Sequence, residues 1–251
     1  MKISIITVSY NSVSTIEDTI KSVVGQTYFD DVEYIVIDGD STDGTVVIIK
    51  RYGAVISRWV SERDGGIYDA MNKGMSMATG DVIGVLNSDD VYAGRDVISR
   101  VAGTLEKTGA DSCYGDLLYV DSVDTDKVRR YWKSGPYNTG LFYGGWMPPH
   151  PTFFVRRGVY ERYGFFNLSL GSSADYELMV RFLLKRGISA CYIPDVLVKM
   201  RSGGVSNASV GNRVKANRMD RLAWEVNGLK PYPWTFLMKP LRKVGQFFSR
   251  P

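Results

Sequence analysis

A chain of 251 residues with 44% hydrophobic, 12% aromatic and 23% charged side chains can bury a substantial core as one large domain, with or without an appendage, and this composition excludes a disordered chain. The net charge of +4 is unevenly placed: residues 211–251 hold nine Lys/Arg against two Asp/Glu, so that segment carries +7 and residues 1–210 carry −3. One histidine, His150, and two cysteines far apart in sequence, Cys113 and Cys191, exclude a tetrahedral zinc site of the usual kind, so any metal has to be a hard ion on carboxylates, Mg²⁺ or Mn²⁺.

In chain order, residues 3–8 form an apolar run rich in β-branched side chains, which predicts a strand covered on both faces. Met1 and Lys2 lead straight into it, too short a run for a secretory leader, and no stretch reaches membrane-spanning length. Tyr10, Asn11 and Ser12 read as a loop, and Ser14 or Thr15 caps a helix through Ile16, Ile20, Val23 and Val24. A second buried strand over 34–38 is broken by the Gly- and Asp-rich stretch 39–44. A helix through Val47 and Ile48 follows, then a third strand over 55–60. After Asp64-Gly65-Gly66 comes a helix through Tyr68, Met71 and Met75, and a fourth strand over 82–86 ends at Asn87-Ser88-Asp89-Asp90.

The second half is less regular. A strand over 112–116 leads into a charged hairpin of 117–123 and 128–132, then a Gly-, Tyr- and Pro-rich stretch over 134–149 long enough for a working loop or lid. A short strand over 152–155, a helix over 174–185 and a strand over 190–193 before Pro194 follow. Cys113 and Cys191 lie in apolar strand-like stretches and read as buried free thiols of a reducing, cytoplasmic compartment. A helix over 207–227 precedes an aromatic, basic appendage over 231–251, and no internal repeat is evident.

Four alternations of strand and helix predict an α/β fold with a mostly parallel central sheet and helices on both faces. Such sheets bind ligands at the carboxyl ends of their strands. Asp38, Asp64, Asp89 and Asp90 each follow an apolar strand, so all four fall at that edge. Alone, an acidic doublet after a strand is as often a solvated turn or a helix cap as a ligand site.

Four ordered blocks carry a resemblance. Ile5-Ile6-Thr7-Val8-Ser9-Tyr10-Asn11, Val36-Ile37-Asp38-Gly39-Asp40-Ser41-Thr42-Asp43-Gly44-Thr45, Asp64-Gly65-Gly66-Ile67-Tyr68-Asp69-Ala70-Met71-Asn72-Lys73-Gly74 and Gly80-Asp81-Val82-Ile83-Gly84-Val85-Leu86-Asn87-Ser88-Asp89-Asp90 resemble the family-two glycosyltransferases. The likeness covers about residues 1–205 and leaves out the tail. It implies the Rossmann-like GT-A fold over 1–206, with 1–110 as the nucleotide-sugar-binding half and 111–206 as the acceptor and catalytic half, and a helical tail over 207–251. It also implies a nucleotide-sugar donor, with a UDP-sugar favoured, and inversion at the anomeric carbon.

By the same similarity Thr7, Tyr10 and Asn11 line the nucleotide pocket, Asp38 takes the base edge and Asp64 assists there, with Asn72 and Lys73 near the donor. Asn87 and Ser88 belong to the donor site. Asp89 is the metal ligand with Asp90 close by, holding a divalent ion that neutralises charge developing on the departing diphosphate. Many relatives carry Asp where this chain has Asn87, which removes one anionic ligand and puts more of the binding on Asp90. The residues themselves leave other readings open: Thr7 as a strand hydroxyl, Asp43 with Gly44 as a turn and cap, Lys73 as a helix-face charge, and Met71, Met75 and Met77 as core.

An inverting transfer needs a base for the acceptor hydroxyl. The family places a carboxylate at the start of a helix in the second half, often as Glu-Asp. Here Ser172-Ser173-Ala174-Asp175-Tyr176-Glu177-Leu178 stands in that context, with Ala174 where Glu is frequent, which makes Asp175 the candidate base. Its competing reading is a carboxylate that stabilises a helix N-terminus. Asp116, Trp146 and His150 are candidate acceptor or diphosphate contacts, set against structural roles in the core. Lys199 and Arg201, with the flexible 202–206 stretch, are candidates to close over phosphates, set against an ordinary surface loop.

In the tail, Trp234, Phe236, Leu237, Met238, Leu241, Val244, Phe247 and Phe248 interleave with Lys239, Arg242, Lys243 and Arg250. That pattern suits a peripheral contact with the cytoplasmic membrane face, and packing on the chain's own domain is the alternative. Nucleic acid is a poor partner, since no recognised motif accompanies the basic residues. The expected activity is transfer of a sugar to a glycan acceptor, lipid-linked, in surface-polysaccharide synthesis. Transfer to polyprenyl phosphate, or a non-catalytic nucleotide-sugar or glycan-binding module, stand as alternatives.

Overall fold

The computed structural model describes residues 1–203 and 210–246. The first half supplies β1 (Ile3–Ser9), β2 (Val32–Asp38), β3 (Arg58–Ser61) and β4 (Val82–Val85), all parallel, in the order β3-β2-β1-β4. β1 is buried along its whole length because layers of helix cover both its faces, as its unbroken apolar run requires. Between these strands run α1 (Ile16–Val24), α2 (Thr45–Arg51) and α3 (Ile67–Met77). Gly74 lets α3 lie close on the sheet: a Cβ there would stand 2.5 Å from Ile6 Cγ2.

The second half adds β5 (Asp90–Tyr92), β6 (Ser112–Val120), β7 (Val128–Trp132), β8 (Phe154–Arg156) and β9 (Ala190–Arg201). The complete order is β3-β2-β1-β4-β8-β6-β9-β5, with β7 paired to β6. β8 is antiparallel to both β4 and β6, β9 is parallel to β6, and β5 is antiparallel to β9, so the sheet is mixed beyond β4. The second half also carries the α-helices α4 (Val97–Thr108), α5 (Gly140–Tyr143), α6 (Arg157–Tyr163), α7 (Ala174–Met179), which runs on as a π-helix over Val180–Lys185, α8 (Val210–Val226) and α9 (Thr235–Gly245).

Two apolar cores sandwich the sheet. On one side α1, α2 and α4 pack Ile16, Ile20, Ile49, Ile98 and Leu105 against Ile3, Ile5, Tyr34 and Val36. On the other, Met71 and Met75 of α3 join Phe182, Leu183 and Trp224 over Ile6, Ile35 and Ile83, so these two methionines are core residues.

Several boundaries differ from expectation. The strand before Pro194 does not stop there: β9 runs on to Arg201, and Pro194 lies opposite a register shift in β6 between Tyr114 and Asp116, where no ladder N–H is needed. The stretch 134–149 is no lid, since it carries α5 and buries Phe142 and Trp146 in the core. Cys113 and Cys191 are register neighbours on β6 and β9, both free, with Cys113 buried and Cys191 partly so. Of the expected loop over 202–206, residues from Gly204 on lie outside the described residues, as do Phe247, Phe248 and Arg250 of the tail.

Candidate active site

Three strand ends lie in register at one edge of the sheet: Ser9, Asp38 and Ser61. The Asp38 carboxylate is fully buried and accepts from Ser9 Oγ (3.0 Å), Ser61 Oγ (2.7 Å), Ser41 Oγ (2.6 Å) and the Ser41 N–H (2.9 Å). Four donors saturate it, so it frames the pocket instead of taking a base edge. Ser9, Ser41 and Ser61 were not singled out from sequence, although Ser9 and Ser61 end strands beside Asp38. Asn11 works on the same loop from a left-handed backbone (φ 47°): its Oδ1 accepts the Thr42 N–H at 2.9 Å and its own N–H donates to Ser41 Oγ at 2.8 Å. Asp43 accepts from the N–H groups of Val13 and Thr45, which bears out the turn-and-cap reading. Thr7 is buried in the core and its hydroxyl receives that of Tyr34 at 3.1 Å, so its side chain does not line a pocket.

Gly39 is buried beneath Tyr10 and Asp64. A Cβ there would lie 2.6 Å from Asp64 Oδ2 and 3.4 Å from Tyr10 Cδ2, so only glycine lets these two side chains meet over it. The Tyr10 ring is 66% exposed, and Asp64 is steadied by accepting the Gly66 N–H at 2.8 Å through its other oxygen. Asp40, the next residue, is exposed and left-handed at φ 66°. An aromatic face beside carboxylate acceptors suits a flat heterocycle with N–H donors.

Strand β4 ends in the acidic run. Ser88 is buried with its Oγ 2.8 Å from Ser12 Oγ, tying the loops after β1 and β4 together. Asn87 Nδ2 donates to Asp90 Oδ2 at 3.3 Å, which leaves Asn87 Oδ1 and Asp90 Oδ1 buried without a hydrogen-bond partner among the described residues. Burial, and then the neighbouring Asp89 charge, hold the Asp90 carboxyl well above the usual carboxylate range. Burial also raises Asp89, against its own backbone N–H and the charge of Arg201. Orphaned oxygens beside carboxyls that resist ionisation are what a hard divalent cation would satisfy. Among the described residues no three His, Cys, Asp or Glu side chains converge as a metal cage, so the chain offers part of a coordination sphere.

Arg201 is buried behind this run: Nη1 donates to Asp89 O at 2.8 Å and Nη2 pairs with Asp18 at 2.7 Å. It braces the acidic turn from below. Lys199 is committed elsewhere, with Nζ 2.7 Å from Asp126 in the hairpin. Neither is placed to close over phosphates.

Asp175 stands at the first turn of α7, accepting the Tyr176 N–H at 2.8 Å. Burial, and then the negative charge of Asp175, push the Tyr68 hydroxyl up in pKa. His150 and Tyr68 both pack against Phe166, with ring centroids 5.6 and 5.2 Å from it. Burial lowers His150, partly offset by attraction to Asp175, so the imidazole is neutral at neutral pH. Asn72 clamps the backbone of Phe166 with both ends of its amide (2.9 and 3.0 Å), and Lys73 reaches Glu62 and the Arg63 carbonyl at 3.0 Å. Both hold neighbouring segments together, Asn72 with one N–H and Lys73 with one N–H still free of these bonds. Tyr68 was read only as a helix residue; its place four residues before Asn72 on the same face of α3 was the available signal.

Asp116 and Trp146 also leave the site. Asp116 is buried and accepts from the hydroxyls of Tyr131 and Tyr192 and the Ser134 N–H. Trp146 is buried, donating Nε1 to Ser134 O at 2.9 Å and packing on Tyr114, Tyr137 and Phe142. Tyr119 on β6 stacks on Trp132, with ring centroids 6.4 Å apart. Burial raises its hydroxyl pKa, Asp90 and Asp175 both add to that, and Arg130, 3.7 Å over its ring, opposes it.

The sequence profile described as "Glycosyl transferase family 2" matches residues 4–164. A protein of Mycobacterium tuberculosis strain H37Rv described as an uncharacterized glycosyltransferase is 34% identical over 183 residues, 72% of this chain and 69% of the relative. A PGL/p-HBAD biosynthesis glycosyltransferase of Mycobacterium bovis is 28% identical over 212 residues (82% and 80%). The putative teichuronic acid biosynthesis glycosyltransferase TuaG of Bacillus subtilis is 32% identical over 143 residues (55% and 56%). Among solved structures, S. aureus TarS 1–349 in complex with UDP-GlcNAc superposes with a TM-score of 0.71 at 18% identity, covering 99% of this chain and 73% of TarS. The mannosyltransferase PcManGT from Pyrobaculum calidifontis, in complex with GDP-Man and Mn²⁺, gives 0.65 at 18% identity (98% and 69%).

Proposed function

The chain belongs to glycosyl transferase family 2 and has the GT-A fold, and on that premise we propose that it moves a sugar from a nucleoside diphosphate to a glycan acceptor, with inversion, in surface-polysaccharide synthesis. The nucleotide base lies against the exposed Tyr10 ring beside Asp64. The diphosphate lies toward Asn87, Asp89 and Asp90, where Asp89 and the unpaired Asn87 Oδ1 and Asp90 Oδ1 would hold a Mn²⁺ or Mg²⁺ ion. Such an ion would neutralise negative charge on the departing diphosphate. Asp175 takes the proton from the acceptor hydroxyl as that oxygen bonds to the anomeric carbon. The bond from that carbon to the donor diphosphate breaks, and its electron pair leaves on the diphosphate.

One observation carries this reading: the turn that ends the fourth parallel strand buries Asn87 Oδ1 and Asp90 Oδ1 without a hydrogen-bond partner among the described residues. The names of relatives acting in teichuronic acid and PGL/p-HBAD biosynthesis support a surface glycan or glycolipid acceptor. Solved relatives with UDP-GlcNAc or GDP-Man support a nucleotide-sugar donor. No described helix is long and apolar enough to cross a membrane. The enzyme is proposed to work at the cytoplasmic membrane face on lipid-linked acceptors.

The test is a thermal-shift screen of UDP-, GDP- and dTDP-sugars with and without Mn²⁺. A donor at about a hundred times its Kd adds about 2.7 kcal/mol, or about 5–10 °C for a domain of this size. One donor should do so with Mn²⁺, and Asp89→Asn should abolish the metal-dependent part. No stabilising sugar nucleotide, or full stabilisation of the variant, would refute the donor site.

A further inference from the structure

The face of α9 turned away from the protein is apolar. Trp234, Leu237 and Leu241, spaced three and four apart along its axis, are 53%, 67% and 60% exposed, and the Tyr232 ring lies 4.9 Å from that of Trp234. The opposite face is already covered. Phe236 is buried, Thr235 Oγ1 donates to Tyr143 O at 2.7 Å, Lys239 Nζ lies 2.6 Å from Asp220, and Arg242 Nε donates to Gly144 O at 2.7 Å. The helix is therefore anchored to its own domain along one side and still presents large apolar side chains along the other. In soluble proteins such a stripe marks an interaction surface.

Charge decides among its possible occupants. From Lys230 to Pro251 the chain has five basic residues and no acidic one, and Lys230 and Arg242 are exposed. Apolar side chains among cations match a bilayer with anionic headgroups. A second copy of the chain fits worse, because a two-fold contact through the stripe would set these cations against themselves with no carboxylate of the segment between them.

We propose that α9 lies on anionic membrane, with Trp234, Leu237 and Leu241 inserted and Lys230 and Arg242 at headgroup level. The end of the helix is tied to the hairpin, where Gln246 O accepts the Tyr131 N–H of β7 at 3.1 Å. Docking would bring the chain to the surface on which an acceptor carried on a lipid is met, a use that rests on the transferase reading. The docking itself does not, and its test needs neither donor nor acceptor.

The full chain is sedimented with vesicles of phosphatidylcholine alone and of phosphatidylcholine mixed with phosphatidylglycerol. Binding is expected to the anionic vesicles only, and to weaken between about 0.1 and 0.5 M salt. The triple variant Trp234→Ser/Leu237→Ser/Leu241→Ser should bind at least about tenfold more weakly while keeping the wild-type far-UV circular dichroism. As a second readout in conservatively changed protein, brominated lipid should quench wild-type tryptophan fluorescence more than that of Trp234→Phe. Failure of the wild type to bind anionic vesicles overturns the proposal. So does equal binding by the triple variant, or a dimer in light scattering that the triple variant dissolves.

Discussion

Asp175→Asn separates chemistry from architecture. Asparagine has the same shape and keeps an oxygen to accept the Tyr176 N–H, at 2.8 Å in the native protein. The fold loses only a partly exposed negative charge at the first turn of α7, worth about 0.3–1 kcal/mol. The donor residues stand on other elements, at Tyr10 and Asp64 and at the end of β4, so donor affinity should stay within about twofold. Loss of a general base costs about 10²–10⁴ in kcat, or about 3–5 kcal/mol of barrier. Steady-state transfer kinetics measure the loss, and isothermal titration of the donor with Mn²⁺ measures the binding. A kcat for Asp175→Asn within about threefold of wild type would refute its role as base. A parallel fall in donor affinity would place it in the donor pocket instead.

Three further outcomes follow from the packing. Asp38→Asn turns a saturated acceptor into one that presents an N–H₂ to surrounding donors, and should cost about 2–3 kcal/mol of stability in urea unfolding with donor binding impaired in step. Glu33 is buried, which alone would raise its pKa, yet bonds from Ser4 Oγ, the Thr79 N–H and Thr79 Oγ1 with the charge of Lys2 bring it down from 4.5 to about 2. A depressed folded-state pKa contributes stability above pH 4.5 that is lost as pH falls toward 2, so Glu33→Gln should flatten the acid limb of the stability curve by about 2–3 kcal/mol. Gly74→Ala places a methyl 2.5 Å from Ile6 Cγ2 and should cost about 1–3 kcal/mol by lifting α3, with transfer falling as Tyr68 moves off Asp175. Unfolding midpoints and kcat check both effects.

The fold was legible where the pattern was local. The apolar runs of β1, β2 and β4 read directly as buried strands, and the alternation with α1 to α3 fixed a parallel sheet. The second half was harder because its pairings are set across long separations. β5 is three residues long and pairs with residues 198–200, more than a hundred positions away, so no periodicity announces it. α4 was passed over although Val97, Ile98, Val101, Ala102 and Leu105 have helical spacing and Gly109 ends the helix at φ 66°. Pro194 misled because a proline ends a strand only where its missing N–H is needed, and a register shift in the partner strand removes that need.

The site was legible in its location and less so in its division of labour, for a physical reason. Sequence shows that a carboxylate stands at a strand end, but not how many donors surround it once folded. Asp38 and Asp116 each collect their hydrogen bonds from within the protein, three from serine groups beyond the Ser41 N–H in one case and two from tyrosines in the other. A carboxylate so satisfied gains little from a ligand and loses much if disturbed. Asp90, by contrast, is buried with an oxygen unpaired, and Asn87 beside it likewise. Burying an acceptor without a donor costs stability unless something arrives to satisfy it. The same division explains the Asn87 departure: an amide brings an oxygen to the turn without adding a third negative charge beside Asp89 and Asp90, whose carboxyls already resist ionisation. An aspartate there would bind a cation more tightly, at the expense of the free protein's stability. Asn87→Asp should accordingly lower the melting temperature without metal and raise it with Mn²⁺, and a shift of the same sign in both conditions would count against a cation at this turn.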